Sequence, residues 1–143
     1  MRKIVLFVLS LTVAVSVFAS QTNYGNIEAK FVRNYDGDTI TVNIQSYPPI
    51  VGKKISIRVN GIDTPEMRGK SPKEKQLART AKKLVSSLLK NAETIELKNM
   101  KRGKYFRIVA DVYYDGKSLN EVLLKNKLAV PYYGGTKTKD WSK

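Results

Sequence analysis

The sequence predicts an α+β fold that is mainly β, with five strands forming a small barrel and two or three helices packed on it. Three observations lead there. Several short segments alternate apolar and polar residues, as half-buried strands do. Two segments carry clear helix-start signals and fall after the third and the fifth strand. The chain of 143 residues has an ordinary apolar content of 42%, which suits one domain with its own core.

Taken in order, Asn26 to Val32 reads as the first strand. Ile40, Val42 and Ile44 alternate with Thr39, Thr41 and Asn43 to give the second. Ser46 to Gly52 holds Pro48 and Pro49 and is expected to be a loop. Ile55, Ile57 and Val59 form the buried side of a third strand, so Arg58 points to the other side.

A helix then opens at Ser71, with Pro72 at its first position and Glu74 completing a capping box. Leu77, Ala81, Leu84, Val85 and Leu88 make one apolar stripe along it. The lysines and arginines around that stripe read as a solvated face.

Thr94 to Leu97 is expected as a fourth strand and Lys98 to Lys104 as a basic turn. Tyr105 to Tyr113 follows as the fifth, with Phe106, Ile108, Ala110 and Val112 on the core side and Arg107 on the other. Asp115-Gly116 is a turn. Ser118 and Glu121 repeat the capping-box spacing and start a shorter helix. Five strands with a helix after the third fit a partly closed barrel of the OB type.

The expected organisation is a signal peptide at 1–19, a leader at 20–25, the folded domain at 26–133 and a basic flexible tail at 134–143. Arg2 and Lys3 precede an apolar run from Ile4 to Phe18, roughly 15 residues long, and Ala19 stands where a signal peptidase cuts. A secreted or periplasmic location is therefore expected, with no membrane contact after cleavage. An uncleaved anchor is the alternative.

The chain has 26 Lys and Arg against 12 Asp and Glu. Without Arg2 and Lys3 the balance is 24 against 12, a net charge of +12. Such a field draws polyanions. The chain contains neither cysteine nor histidine. Disulfides, thiolate nucleophiles, zinc-thiolate sites and histidine bases are thereby excluded. Acid–base chemistry must fall to carboxylates, Lys, Tyr or metal-bound water.

Three segments place charge beside strand ends. Asp36-Gly37-Asp38-Thr39 is either a turn or one wall of a site for a hard cation. In Asp63-Thr64-Pro65-Glu66, Asp63 is a second candidate ligand or the start of an Asx turn, and Pro65 keeps Thr64 extended. Arg58 and Arg107, on separate strands, suit two-point contacts with phosphate, although a lone strand arginine is more often simply a surface residue.

Taken with their surroundings, these pieces resemble the staphylococcal-nuclease-like (thermonuclease) family. The matching segments are Asp36 to Thr39, Ile57-Arg58, Gly61 to Glu66 and Lys104 to Arg107. Tyr114 to Asn120 and Asn126 to Ala129 follow. Their order and spacing match over about 100 residues, roughly Ala29 to Tyr132.

The resemblance implies a nuclease acting on DNA and RNA and leaving 3′-phosphate ends. Asp38 and Asp63 would bind Ca²⁺ through carboxylates and Thr64 through its backbone carbonyl, with Asp36 supporting them. Glu66 would hold the attacking water, Arg58 and Arg107 the scissile phosphate, and Lys104 and Tyr105 substrate phosphate or sugar. No stable protein partner is implied, and a monomer is expected.

Two departures stand out. Phe106 takes a place that is commonly Gly, and the segment between Glu66 and Ser71 is shorter than in the best-known member. The main rival reading is a non-catalytic OB-type module that binds single strands through a basic groove and stacking aromatics such as Tyr35, Tyr105 and Tyr113. A basic coat for membranes or acidic glycans is a third.

Overall fold

A computed structural model describes residues 24–143. The expected signal peptide at 1–19 and most of the leader lie outside the described residues. Among the described residues no helix is long and apolar enough to cross a membrane.

The chain runs β1 (Ile27–Glu28), β2 (Lys30–Asn34), β3 (Thr39–Asn43), α1 (Pro49–Gly52), β4 (Ile55–Val59) and β5 (Ile62–Asp63). After these come α2 (Pro72–Asn91), β6 (Ile95–Arg102), a 3-10 turn at Lys104–Phe106, β7 (Ile108–Tyr114), β8 (Lys117–Ser118), α3 (Leu119–Lys125) and β9 (Val130–Pro131). The five principal strands, β2, β3, β4, β6 and β7, answer to the five expected ones. One sheet runs in the order β1-β6-β7-β4-β3-β2, and β5 pairs with β9 in a second, two-stranded ribbon.

The first strand closes this sheet. It divides at Ala29: β1 pairs with β6, whereas β2 pairs with β3 at the far end of the sheet. One residue cannot bridge a flat six-strand sheet. The sheet therefore curls until one stretch of chain serves both edges, and the Ala29 amide donates to the Ile95 carbonyl at 2.9 Å in the seam. The mixed α+β architecture with a curled sheet is the one expected from sequence.

Ile40, Val42, Ile57, Val59, Leu97, Ala110 and Val112 fill the interior, each almost wholly buried. Burying one such branched side chain stabilises the fold by roughly 1.5–3 kcal/mol. Helix α2 covers the interior with Ala78, Ala81, Val85 and Leu89, while Leu77, Leu84 and Leu88 flank them half-buried. Its buried line is thus turned slightly from the stripe read in sequence, towards the small residues that allow close approach to the sheet. Both expected N-cap serines are in place, but the Glu74 carboxylate accepts from the Glu66 amide at 3.4 Å instead of completing the capping box at Ser71. Ser71 Oγ accepts from the Glu74 amide at 3.0 Å and Ser118 Oγ from the Glu121 amide at 3.4 Å. Such a cap contributes about 1 kcal/mol.

Two local expectations are corrected. Strand β6 continues through Lys98 to Arg102, where a basic turn was expected. Its pairing with β7 resumes after a register shift between Lys98 and Lys101, and Asn99 there has φ of 50°. The bulge lets polar residues stay in the ladder, so their charge does not end the strand. The fifth strand begins at Ile108 rather than Tyr105. Tyr105 and Phe106 have φ of 57° and 58°, which breaks the alternation. Phe106 is 84% exposed rather than directed to the core.

The loop at 46–52 contains the short helix α1. The segment 134–143, expected as a flexible tail, carries Trp141, which is buried, and Lys137, whose ammonium meets two carboxylates.

Candidate active site

Each expected site residue is positioned by an identifiable device. Asp36 organises the loop before β3: its Oδ1 accepts from the amides of Asp38 at 3.1 Å and Thr39 at 2.8 Å. This is an Asx-type turn, so the turn reading of this segment holds, and the turn sets Asp38 at the start of β3. Asn34 secures the loop from behind, donating to the carbonyls of Asp36 and of Lys82 in α2. Gly37 is needed for space. A Cβ there would stand 2.9 Å from Thr64 Cγ2 and 3.0 Å from Ala81 Cβ. That contact brings the loop against both the Thr64 segment and α2.

Asp38 is buried and links the two acidic segments. Its Oδ2 accepts from both the amide and the hydroxyl of Thr64, each at 3.0 Å. Its Oδ1 forms an ion pair with Arg58. The segment carrying Asp63 and Thr64 is held from its other side. Asp63 pairs with Val130 across the β5–β9 ribbon, the Tyr132 amide donates to the Gly61 carbonyl, and Asn120 donates to the Asn60 carbonyl at 2.6 Å.

Arg58 lies between the two aspartates. Its side chain is 14% exposed, with Nη2 3.7 Å from Asp63 Oδ1. The same guanidinium donates to the carbonyls of Asp38 and Ile62. β4 and β7 run parallel, with Ile57 beside Ile108 and Arg58 beside Val109. Arg107, just before Ile108, therefore enters the sheet close to the Arg58 row. It is exposed and makes no salt bridge among the described residues.

A cleft of about 460 Å³ is lined by Asp36, Asp38, Arg58, Thr64, Glu66 and Arg107, together with Tyr35, Arg68, Tyr132 and Lys137. It gathers most of the expected residues. Asp63 reaches them through its contacts with Arg58 and Lys137. Lys104 instead lines an adjoining groove with Arg58, Arg107, Tyr132 and Tyr133. Tyr105 lines neither and is 87% exposed.

Sequence reasoning missed Lys137. Its Nζ lies 2.9 Å from Asp63 Oδ1 and 2.5 Å from Glu66 Oε1. Burial alone would lower its pKa, but the contacts with Glu66 and Asp63 outweigh that and hold the ammonium above the ordinary lysine range. Burial, and after it the neighbouring Asp38 carboxylate, push the Asp36 carboxyl up to about 6. An ionised Asp36 is thus held at a cost that a nearby cation would lower.

The donor set suits a hard cation. Among the described residues no group of three or more acidic side chains forms a metal cage by itself. Two aspartates do converge on one guanidinium, however, and Asp63 Oδ1 is a buried oxygen without a hydrogen-bond donor. Its neighbours at Lys137 and Arg58 are ionic contacts rather than aligned hydrogen bonds. A buried carboxylate oxygen held only by ionic contacts suits ligation of a hard cation once the ammonium beside it gives way.

The model of the staphylococcal nuclease homologue family matches residues 56–142, which takes in Arg58, Asp63, Glu66, Arg107 and Lys137. Endonuclease YncB of Bacillus subtilis (strain 168) is 38% identical over 100 residues, 68% of this chain and 44% of the relative. The SPbeta prophage-derived endonuclease YokF of the same organism is 35% identical over 72% of this chain and 33% of its own length. Staphylococcal-like nuclease CAN1 of Arabidopsis thaliana is 34% identical over 66% of this chain and 27% of its own length. The chain thus spans less than half the length of each of these relatives. With its fold, its paired aspartates and this match over more than half its length, the chain belongs to the staphylococcal nuclease homologue family.

Proposed function

We propose that the chain is an exported, Ca²⁺-dependent nuclease that hydrolyses the phosphodiester backbone of DNA and RNA and leaves 3′-phosphate ends. The observation that carries this reading is the mostly buried Arg58 held between Asp38 and Asp63, beside a cleft that Glu66 and Arg107 also line. Asp36, Asp38, Asp63 and Glu66 outnumber Arg58 and Lys137 among them, so phosphate would be repelled there unless a further cation joined the site. A module that only binds strands has no use for that arrangement.

In this reading Asp38 and Asp63 hold Ca²⁺ through carboxylate oxygens and Thr64 through its carbonyl, with Asp36 setting the loop. When bound, Ca²⁺ supplies positive charge against the negative charge that gathers on the phosphate during attack. Arg58 and Arg107 grip the non-bridging oxygens and neutralise the same charge. Glu66 orients the attacking water or takes its proton. The new P–O bond forms from that water, and the bond to the 5′ oxygen breaks. The leaving oxygen takes the electron pair and acquires a proton from solvent. Lys104, in the adjoining groove, and Tyr105, exposed beside it, contact substrate phosphate or sugar.

Cleavage of supercoiled plasmid and of RNA should require CaCl₂ and stop in excess EGTA. Full activity in the chelator would rule out the cation. Retained binding without cleavage under any divalent ion would return the non-catalytic module. Binding of uncut strands should weaken as salt rises, because each phosphate contact releases counterions.

Export rests on Arg2, Lys3, the apolar run and Ala19. Mass spectrometry of protein recovered from the native cell should find the mature chain starting near Ser20. An intact Met1 would favour the anchor.

A further inference from the structure

Lys137 reaches the site by a built route. Gly134 and Gly135 both have positive φ, 108° and 87°, a conformation that glycine adopts without strain. Together they turn the chain back after β9. The Tyr132 hydroxyl donates to the Gly135 carbonyl at 2.7 Å and fixes that turn. Four residues beyond Lys137, Trp141 is buried, with Lys139 against its ring at 5.4 Å. The lysine is thus delivered between two anchors.

Its ammonium spans Asp63 Oδ1 and Glu66 Oε1, one oxygen from the proposed ligand set and one from the proposed water-holding residue. A calcium ion would need Asp63 Oδ1 at about 2.3–2.6 Å. An ammonium 2.9 Å from that oxygen and a divalent cation ligated by it would face each other as like charges at close range.

We propose that Lys137 is a tethered competitor for the divalent cation: it holds Asp63 and Glu66 together and must be dislodged for the cation to bind. The inference rests on the cation reading above. By linkage, whatever Lys137 gains from the two carboxylates is subtracted from cation affinity, and cation binding loosens Lys137 to the same degree. Lys137 therefore sets the Ca²⁺ concentration at which the site fills.

Calorimetric titration of the full folded chain with CaCl₂ alone, without nucleic acid, tests this. Lys137→Met and Lys137→Gln should each bind Ca²⁺ about fivefold tighter than wild type, the factor one partly exposed ion pair is worth. Lys90→Met, at the far end of α2, removes the same charge away from the site and should leave affinity within about twofold, since exposed charges beyond a Debye length are screened. Unchanged or weaker affinity in both Lys137 variants would overturn the proposal. So would equal tightening in Lys90→Met, which would mark a general charge effect. Equal affinities in wild type and the Lys137 variants would remove the competitor and leave the cation reading standing. Absence of any Ca²⁺ binding by all four chains would remove both.

Discussion

Arg58→Ala and Arg107→Ala are expected to lose similar amounts of cleavage and very different amounts of stability. Each removes one guanidinium from the proposed phosphate grip. Loss of one such transition-state contact lowers kcat on the order of a hundredfold. The structural positions differ, however. Arg58 is mostly buried, pairs with Asp38 and Asp63, and donates to two backbone carbonyls. Its removal leaves two buried carboxylates without their guanidinium. Breaking one side of a buried pair typically costs about 3–5 kcal/mol. The lower end applies here, because Lys137 still faces Asp63. For a domain of this size about 3 kcal/mol corresponds to a fall in Tm on the order of 10 °C.

Arg107 is exposed and without a salt bridge, so its removal should stay within about 0.5 kcal/mol of wild type. CaCl₂ should then raise Tm more in Arg58→Ala than in wild type. The cation compensates carboxylates that have lost their partner, and binding to the folded state alone is stabilising. Differential scanning calorimetry of the metal-free and loaded proteins measures both effects. Equal Tm values for the two metal-free variants would mean that Arg58 does not hold the aspartates together.

What was legible in the sequence follows from how local each signal is. The start of α2 could be read because its cap is a contact between neighbours: Ser71, Pro72 and Glu74 act within one turn. Strands β3 and β4 were readable because each buries one face and alternates strictly. Within the site, Asp36, Asp38, Asp63 and Glu66 could be found because each stands at the end of a readable strand, and their order supplied the family resemblance.

The misreadings are non-local or conformational. Lys98 to Arg102 looked like a turn by charge, but pairing across a bulge with β7 keeps them in the sheet. Phe106 looked buried because alternation was extended through residues that adopt positive φ, which no spacing rule reveals. Lys137 is separated from Glu66 by 71 residues, and nothing in a basic tail distinguishes it from its neighbours. The paired glycines at 134 and 135 are the one local sign of the turn that brings the chain back.

Glu66→Gln is expected to show the second large effect, a fall in kcat on the order of 10²- to 10⁴-fold. The structure narrows what else the change could do. The Glu66 carboxylate is 58% exposed, and its salt-bridge partner is Lys137. The turn that follows is closed by the Glu66 backbone carbonyl, which accepts from the Gly69 amide at 2.9 Å. Glutamine keeps that carbonyl and nearly the same volume, so Tm should move little. Ca²⁺ should still bind, because Asp38 and Asp63 are untouched. If Lys137 competes as proposed, affinity should rise slightly, since the amide holds the ammonium less well. The chemical step suffers because an amide cannot take the proton of the attacking water. The acid limb of the pH–rate profile, where the carboxylate would become protonated, should change with it. Measuring kcat, Ca²⁺ affinity and Tm on this one variant separates the roles. A kcat near wild type, with Ca²⁺ affinity retained, would leave Glu66 as no more than an exposed partner for Lys137 and would move the water-activating role elsewhere.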